Sequence, residues 1–195
     1  MKRRLVLLLL VTGLLVACRP YEFKGTEYPE PEPAPDFTLE DTGGQTFHLS
    51  DQRGKIVLMF FGYTSCPDVC PTTLAEARRI LEGLQEDAKQ VRFLFITVDP
   101  ERDTPDVLGD FVANFHPGIT GLTGTAEALA AVREDYGIVA EKEPLAGSAA
   151  GYAMSHTARV FLVDQAGRLR LSYAYGTPPA AVIEDIRHLL EQEES

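Results

Sequence analysis

Basic residues are scarce in this chain: 18 lysines and arginines stand against 29 acidic residues, a formal charge of -11. A sequence-independent hold on nucleic acid is thereby excluded, because gripping phosphates takes a basic face and the residues to build one are missing. Long apolar runs are missing too. The longest, "LVLLLLVTGLLV" at 5–16, falls short of the ~20 residues that cross a bilayer comfortably, which disfavours a permanent membrane helix. No internal repeat is present, and cysteine is confined to positions 18, 66 and 70.

What is there begins with "MKRR", a basic start to that apolar run, closed by Leu15-Val16-Ala17-Cys18. Residues 1–17 have the form of a signal peptide. Leu-Val-Ala-Cys resembles the lipobox of bacterial lipoproteins, in which the cysteine carries lipid and becomes the new N-terminus. Cys18 is then an anchor to the outer face of the cytoplasmic membrane. An uncleaved anchor and an ordinary secretory leader are the alternatives, and every version puts the domain outside the cytoplasm. After the anchor, 19–35 reads "RPYEFKGTEYPEPEPAP", with five prolines and clustered acids. That composition predicts a semi-rigid spacer over 18–35 that lifts a domain clear of headgroups.

The folded domain is expected over 36–195, ordinary in size for a single core. "DFTLED" and "QTFHLSD" flank Thr42-Gly43-Gly44 and read as a hairpin. "KIVLMFFG" is a continuous apolar run, the pattern of a strand covered on both faces. In 72–86, Leu74, Ala77, Ile80, Leu81 and Leu84 fall on one helical face. "VRFLFITVDP" is a second buried strand, helical signals recur around 104–115 and 125–135, and "TARVFLVD" and "RLRLSYAYG" form a closing hairpin before a last helix opened by prolines. This order predicts an α/β, thioredoxin-like fold with an additional N-terminal β-hairpin, its mixed central sheet flanked by helices. Residues 140–156, rich in Gly, Ala and Ser, read as a long functional loop.

"FFGYTSCPDVCP" at 60–71 delivers Cys66 and Cys70 from the end of the first buried strand. A four-residue separation permits a disulfide, but so short a loop gives little of the chain restriction by which disulfides stabilise. Pro71 argues that 66–70 is a separate turn and that the helix starts at Pro71, with both sulfurs at its N-terminal end. That end favours thiolates, which attack disulfides and also bind soft Cu(I) or zinc. Of the four histidines, His48, His116 and His188 have packing or surface explanations. His156 precedes a strand that runs antiparallel to "KIVLMFFG", so its start faces the cysteines; spacing alone does not decide whether they meet. Asp68 reads as a surface residue or a modulator of the thiols, Asp99 as a turn cap before Pro100, and Met154 as loop packing.

"YTSCPDVCP", "VDPERDTP" at 98–105 and "SHTARVFLVDQAGRL" at 155–169 resemble the three signatures of the SCO/SenC proteins, thioredoxin-like factors for cytochrome c oxidase assembly. The resemblance runs through most of 36–192. It implies one copper ion, Cu(I) or Cu(II), on Cys66, Cys70 and His156, with zinc the lesser alternative. It also implies a metallochaperone for the dinuclear copper centre, whose partners are the copper-centre subunit and a second periplasmic copper chaperone or a thioredoxin-like reductant. The alternative activity is thiol–disulfide reduction, with Cys66 attacking and Cys70 resolving. A peroxidase reading from Thr64 and Cys66 is disfavoured by the second cysteine. Ser155 stands where the family often has aspartate, which removes a negative charge beside His156.

Overall fold

The computed structural model describes residues 21–145, 147 and 151–193; the expected leader and Cys18 lie outside them. In chain order the elements are β1 (Thr26–Glu27), β2 (Thr38–Asp41), β3 (Thr46–His48), β4 (Ile56–Gly62), α1 (Val69–Leu84), β5 (Val91–Thr97), α2 (Pro105–Ala113) and β6 (Ile119–Thr123). They continue with α3 (Ala126–Asp135), β7 (Ala140–Pro144), β8 (Tyr152–His156), β9 (Arg159–Val163), β10 (Leu169–Ala174) and α4 (Pro179–Glu193).

Eight strands form one mixed sheet in the order β1-β10-β9-β4-β5-β6-β2-β3. Its centre, β4-β5-β6, is parallel, and β9 runs antiparallel to β4 with Phe60 opposite Val160. Every residue of β4 is buried, as a continuous apolar run requires of a strand covered on both faces. Phe60 faces α1 and α4, whereas Phe61 packs against Tyr136 and Phe161. The alternation of a strand thus feeds two core layers from one apolar run. Thr104 and Thr125 cap α2 and α3, their hydroxyls accepting from the Val107 and Ala128 N–H groups. The thioredoxin-like arrangement and the N-terminal hairpin, now β2 and β3, are as expected.

Three segments differ from expectation. β6 lies between the two helical stretches, where the sequence pattern predicts no strand, because "ITGLT" is too short and Gly-interrupted to stand out as one. Residues 140–156 are not a loop throughout: β7 and β8 pair as a separate two-stranded sheet, Ala140 opposite His156 and Lys142 opposite Met154. The Gly and Ala content is concentrated at the tip, where Leu145 N–H donates to the Gly151 carbonyl at 2.9 Å and Gly151 takes φ +71°.

The third difference is the spacer. From Tyr21 onward it is strapped to the body, not free. β1 pairs with β10, Thr26 opposite Ser172, and further along the Ala34 N–H donates to the Gly167 carbonyl at 2.9 Å. At its start the strap converges on the fully buried Asp185 of α4. That carboxylate accepts from Tyr21 Oη at 2.9 Å, from the Lys24 and Gly25 N–H groups at 3.0 and 2.9 Å, and from Tyr173 Oη at 3.1 Å. Tyr21 also stacks on His188, ring centroids 3.8 Å apart. The folded body therefore begins at or before Tyr21, and a fragment cut at Asp36 would leave the β10 edge and a buried carboxylate uncovered.

Candidate metal centre

β4 ends at Gly62, and the chain then turns through Tyr63, Thr64 and Ser65 to Cys66. The Cys66 N–H donates to the Tyr63 carbonyl at 3.3 Å, closing the turn. The helix begins at Val69, two residues before the expected Pro71, because a proline in the first turn lacks only an N–H that has no helical partner anyway. The N-cap side chain, Asp68, makes no capping bond. Cys66 Sγ takes that place, accepting from the Cys70 N–H at 3.4 Å. The sulfur nearer solvent thus sits on the positive end of α1.

Cys70 is fully buried behind it. It fits there because position 62 has no side chain: a Cβ on Gly62 would lie 2.9 Å from Cys70 Sγ, from Phe60 Cε1 and from Phe95 Cε2 at once. Gly62→Ala is expected to lose about 1–3 kcal/mol of unfolding free energy in urea titration, since overpacking cannot be relieved on three sides. Wild-type stability in that variant would mean that the cysteine pocket is looser than its geometry indicates.

His156 ends β8, and its Nδ1 lies 3.2 Å from the Thr157 carbonyl. A carbonyl only accepts, so Nδ1 carries a proton, and Nε2 is the ring nitrogen turned toward the cysteines. That nitrogen lies 3.6 Å from Cys70 Sγ. The edges of Phe60 and Tyr63 hold the ring, with centroids 5.9 and 5.8 Å away. The donor atoms of Cys66, Cys70 and His156 all lie within 4.8 Å of one another, the one such cluster of Cys, His and acidic groups among the described residues. Cys66 and His156 open onto a cleft of about 310 Å³ also lined by Val69, Met154 and Ala158.

The two thiols are driven apart in acidity. A hydrogen bond from Cys70 draws the Cys66 thiol down to about 3; burial opposes this, while His156 and the backbone N–H groups of Asp68 and Cys70 reinforce it. The same shared proton, together with burial, raises Cys70. Cys66 is therefore a thiolate through the whole range above its lowered value. Iodoacetamide should alkylate Cys66 at a nearly constant rate from about pH 8 to pH 5, whereas an ordinary thiol near ~8.5 slows about tenfold per pH unit. Peptide mapping checks this, and a tenfold-per-unit decline at Cys66 would refute the assigned thiolate.

The other singled-out residues divide. His48 lies 2.8 Å from Thr38 Oγ1, His116 accepts from the Gly118 N–H, and His188 stacks on Tyr21, all away from the cysteines. Asp68 is exposed, and Met154 is buried in β8 with its side chain on the cleft. Asp99 opens a turn as expected, its carbonyl accepting from the Arg102 and Asp103 N–H groups, while its carboxylate pairs with Arg102 and accepts from Tyr152 Oη at 2.8 Å. Sequence reasoning missed Asp103, which is fully buried and accepts from Thr64 N–H, from Thr64 Oγ1 at 2.6 Å and from Thr97 Oγ1 at 2.6 Å. Burial pushes its carboxyl up, against the pull of those hydroxyls. Its signal was the second aspartate in "DPERD", which the sequence shows only as part of a motif.

The sequence profile of the SCO1/SenC family matches residues 26–191. The chain belongs to this family. Among its relatives, an SCO2-like protein of Rickettsia felis is 32% identical over 152 residues, 78% of this chain and 74% of that one. Among solved structures, copper-bound ScoI of Bradyrhizobium japonicum is 36% identical with a TM-score of 0.74, covering 81% of this chain and 99% of that one. The apo Sco1 protein of Thermus thermophilus is 38% identical with a TM-score of 0.75, covering 87% and 98%. The family match begins inside the strap, at residue 26, in keeping with a folded body that extends N-terminal of Asp36.

Proposed function

We propose that this chain binds one copper ion through Cys66 Sγ, Cys70 Sγ and His156 Nε2 and serves in assembling the dinuclear copper centre of cytochrome c oxidase. The observation that carries this is the cluster itself, three soft or borderline donors within 4.8 Å of one another at the mouth of a cleft. Three such ligands bonding one ion at about 2.0–2.3 Å in a trigonal plane stand roughly 3.5–4 Å apart, and Cys70 Sγ and His156 Nε2 are 3.6 Å apart. Two thiolates and one imidazole suit Cu(I) and admit Cu(II), while a structural zinc site wants a fourth ligand. ScoI of Bradyrhizobium japonicum and yeast Sco1, 36% and 29% identical to this chain, have both been solved with copper bound.

Residues 1–17 act in this reading as a lipoprotein leader and Cys18 as a lipid anchor on the outer face of the cytoplasmic membrane. A Bacillus anthracis relative, 25% identical, is described as a SCO1/SenC family lipoprotein. No helix among the described residues is long and apolar enough to cross a membrane. The partners are the copper-centre subunit of the oxidase and a copper chaperone that loads the site.

The division of the cysteines supports a second activity at the same place, thiol–disulfide reduction. Cys66 Sγ, partly exposed and ionised, attacks a partner disulfide, forming a mixed disulfide and releasing one partner thiolate. Cys70 then loses its proton and attacks the Cys66 sulfur, releasing the second partner thiol; two electrons have passed to the partner, and a thioredoxin-like reductant restores the pair.

Anaerobic Cu(I) titration of the reduced full chain in detergent, against a chromophoric chelator, tests the first reading. One tight equivalent is expected. Binding no stronger than that of a Cys66→Ala/Cys70→Ala variant would sink it.

A further inference from the structure

His156 is carried by a hairpin that stands off the main sheet, β7 pairing with β8 alone. One short turn after β5 grips the start of β8. Tyr152, at the start of β8, donates from Oη to Asp99 Oδ1 at 2.8 Å. The Arg102 guanidinium lies 3.8 Å from the centre of the Tyr152 ring, and its Nη1 donates to the Tyr152 carbonyl at 2.9 Å. Arg102 is itself fixed by Asp99, whose side chain is fully buried. Lys142 of β7 adds an exposed pair to Glu101 at 2.6 Å and sits 4.7 Å from the Tyr152 ring centre.

One residue further along the same turn, Asp103 grips the other side of the site. It holds the backbone N–H and the hydroxyl of Thr64, two residues before Cys66. The two aspartates are tied together: the Asp103 N–H donates to the Asp99 carbonyl at 2.9 Å, and Thr97 Oγ1 accepts from Asp99 N–H while donating to Asp103.

We propose that the turn Asp99–Asp103 is a positioning brace that sets the distance between His156 and the cysteines, Asp99 and Arg102 acting through Tyr152 and Asp103 acting through Thr64. It rests on the copper reading of that site. Tyr152, Met154 and His156 share one face of β8. With Tyr152 clamped at one end and β9 locked into the main sheet at the other, the imidazole has little freedom. Such fixing matters because a metal ligand must be held within about 0.5 Å of its working place. The exposed Lys142–Glu101 pair contributes little. The Asp99–Arg102–Tyr152 group, part-buried and anchored on the buried Asp99 carboxylate, carries the brace.

The test is a double-mutant cycle on the full chain, read by competitive Cu(I) titration, by unfolding, and by the ¹⁵N resonances of the His156 ring in the metal-free protein. Tyr152→Phe removes one hydroxyl and keeps the ring beneath Arg102; Asp99→Asn is the second variant. Each should weaken Cu(I) binding about tenfold, the lower end of what outer-shell partners contribute, and should have no further effect in a His156→Ala background. The His156 ring resonances should shift or broaden in both. Equal losses with and without His156, or affinity within twofold of wild type, would overturn the brace while leaving copper binding intact. If His156→Ala itself changes nothing, the copper reading fails, and the ring resonances alone decide: unchanged in Tyr152→Phe, they overturn the brace as well.

Discussion

Replacing His156 by alanine is expected to weaken Cu(I) binding by more than about 100-fold while leaving unfolding free energy within about 1 kcal/mol of wild type. The magnitude follows from rank: changes one shell out from a metal cost roughly 10–100-fold, and removing a ligand exceeds them. Stability is spared because the ring is only partly buried and its backbone bond is to a carbonyl one residue away. Phe60 and Tyr63 lose an edge contact and little else. Chelator competition and urea unfolding on the same preparation measure both quantities. Affinity unchanged in His156→Ala would leave a dithiol without a metal role for the imidazole and shift the weight to disulfide exchange. Disulfide exchange itself needs only Cys66 and Cys70, so its rate should survive the substitution.

Asp185→Ala is expected to produce the largest loss of stability, about 3 kcal/mol or more, seen as a fall in Tm of roughly 6–12 °C. One carboxylate gathers two hydroxyls and two backbone N–H groups, and bonds to an ionised acceptor are among the stronger ones. Alanine leaves the buried Tyr173 hydroxyl without this acceptor and releases the start of the strap. Residues 21–35 should then become cleavable by protease at native temperatures, before global unfolding. A stability change below about 0.5 kcal/mol, or an uncut strap, would show that the β1–β10 pairing alone holds the segment. The consequence for function concerns reach: with the strap docked from Tyr21 onward, at most two residues of sequence separate the expected anchor at Cys18 from the folded body. The proposed lipoprotein would therefore keep its site at a set height instead of swinging on a long arm.

That position was legible in one respect. In "VIEDIRHLL", Asp185 falls on the stripe formed by Val182, Ile186, Leu189 and Leu190, an acid where an apolar residue belongs. A buried acid needs donors, but the sequence does not say that they come from residues 160 positions away. The β8 strand was legible too: Tyr-Ala-Met-Ser-His alternates large and small, though its neighbours' Gly and Ala content masked it. β6 was the weaker signal, five residues with a glycine inside, placed by pairing with β5 and β2 more than by its own propensity.

By itself the sequence determined whatever depends on local pattern and side-chain chemistry: the apolar runs of β4 and β5, the face of α1, and two thiols beside a helix start. Those features, with three family motifs, were enough for the fold class and for Cys66, Cys70 and His156 as the residues to watch. Only the tertiary structure decided what depends on distant partners. It brought His156 Nε2 to 3.6 Å from Cys70 Sγ across 86 positions of chain, and it turned a proline-rich stretch into a strap. It also gave the "DPERD" turn its grip on both sides of the site. The reason is physical: hydrogen-bond partners and close approaches are set by which elements the assembled sheet makes neighbours, and residue periodicity carries no record of that choice.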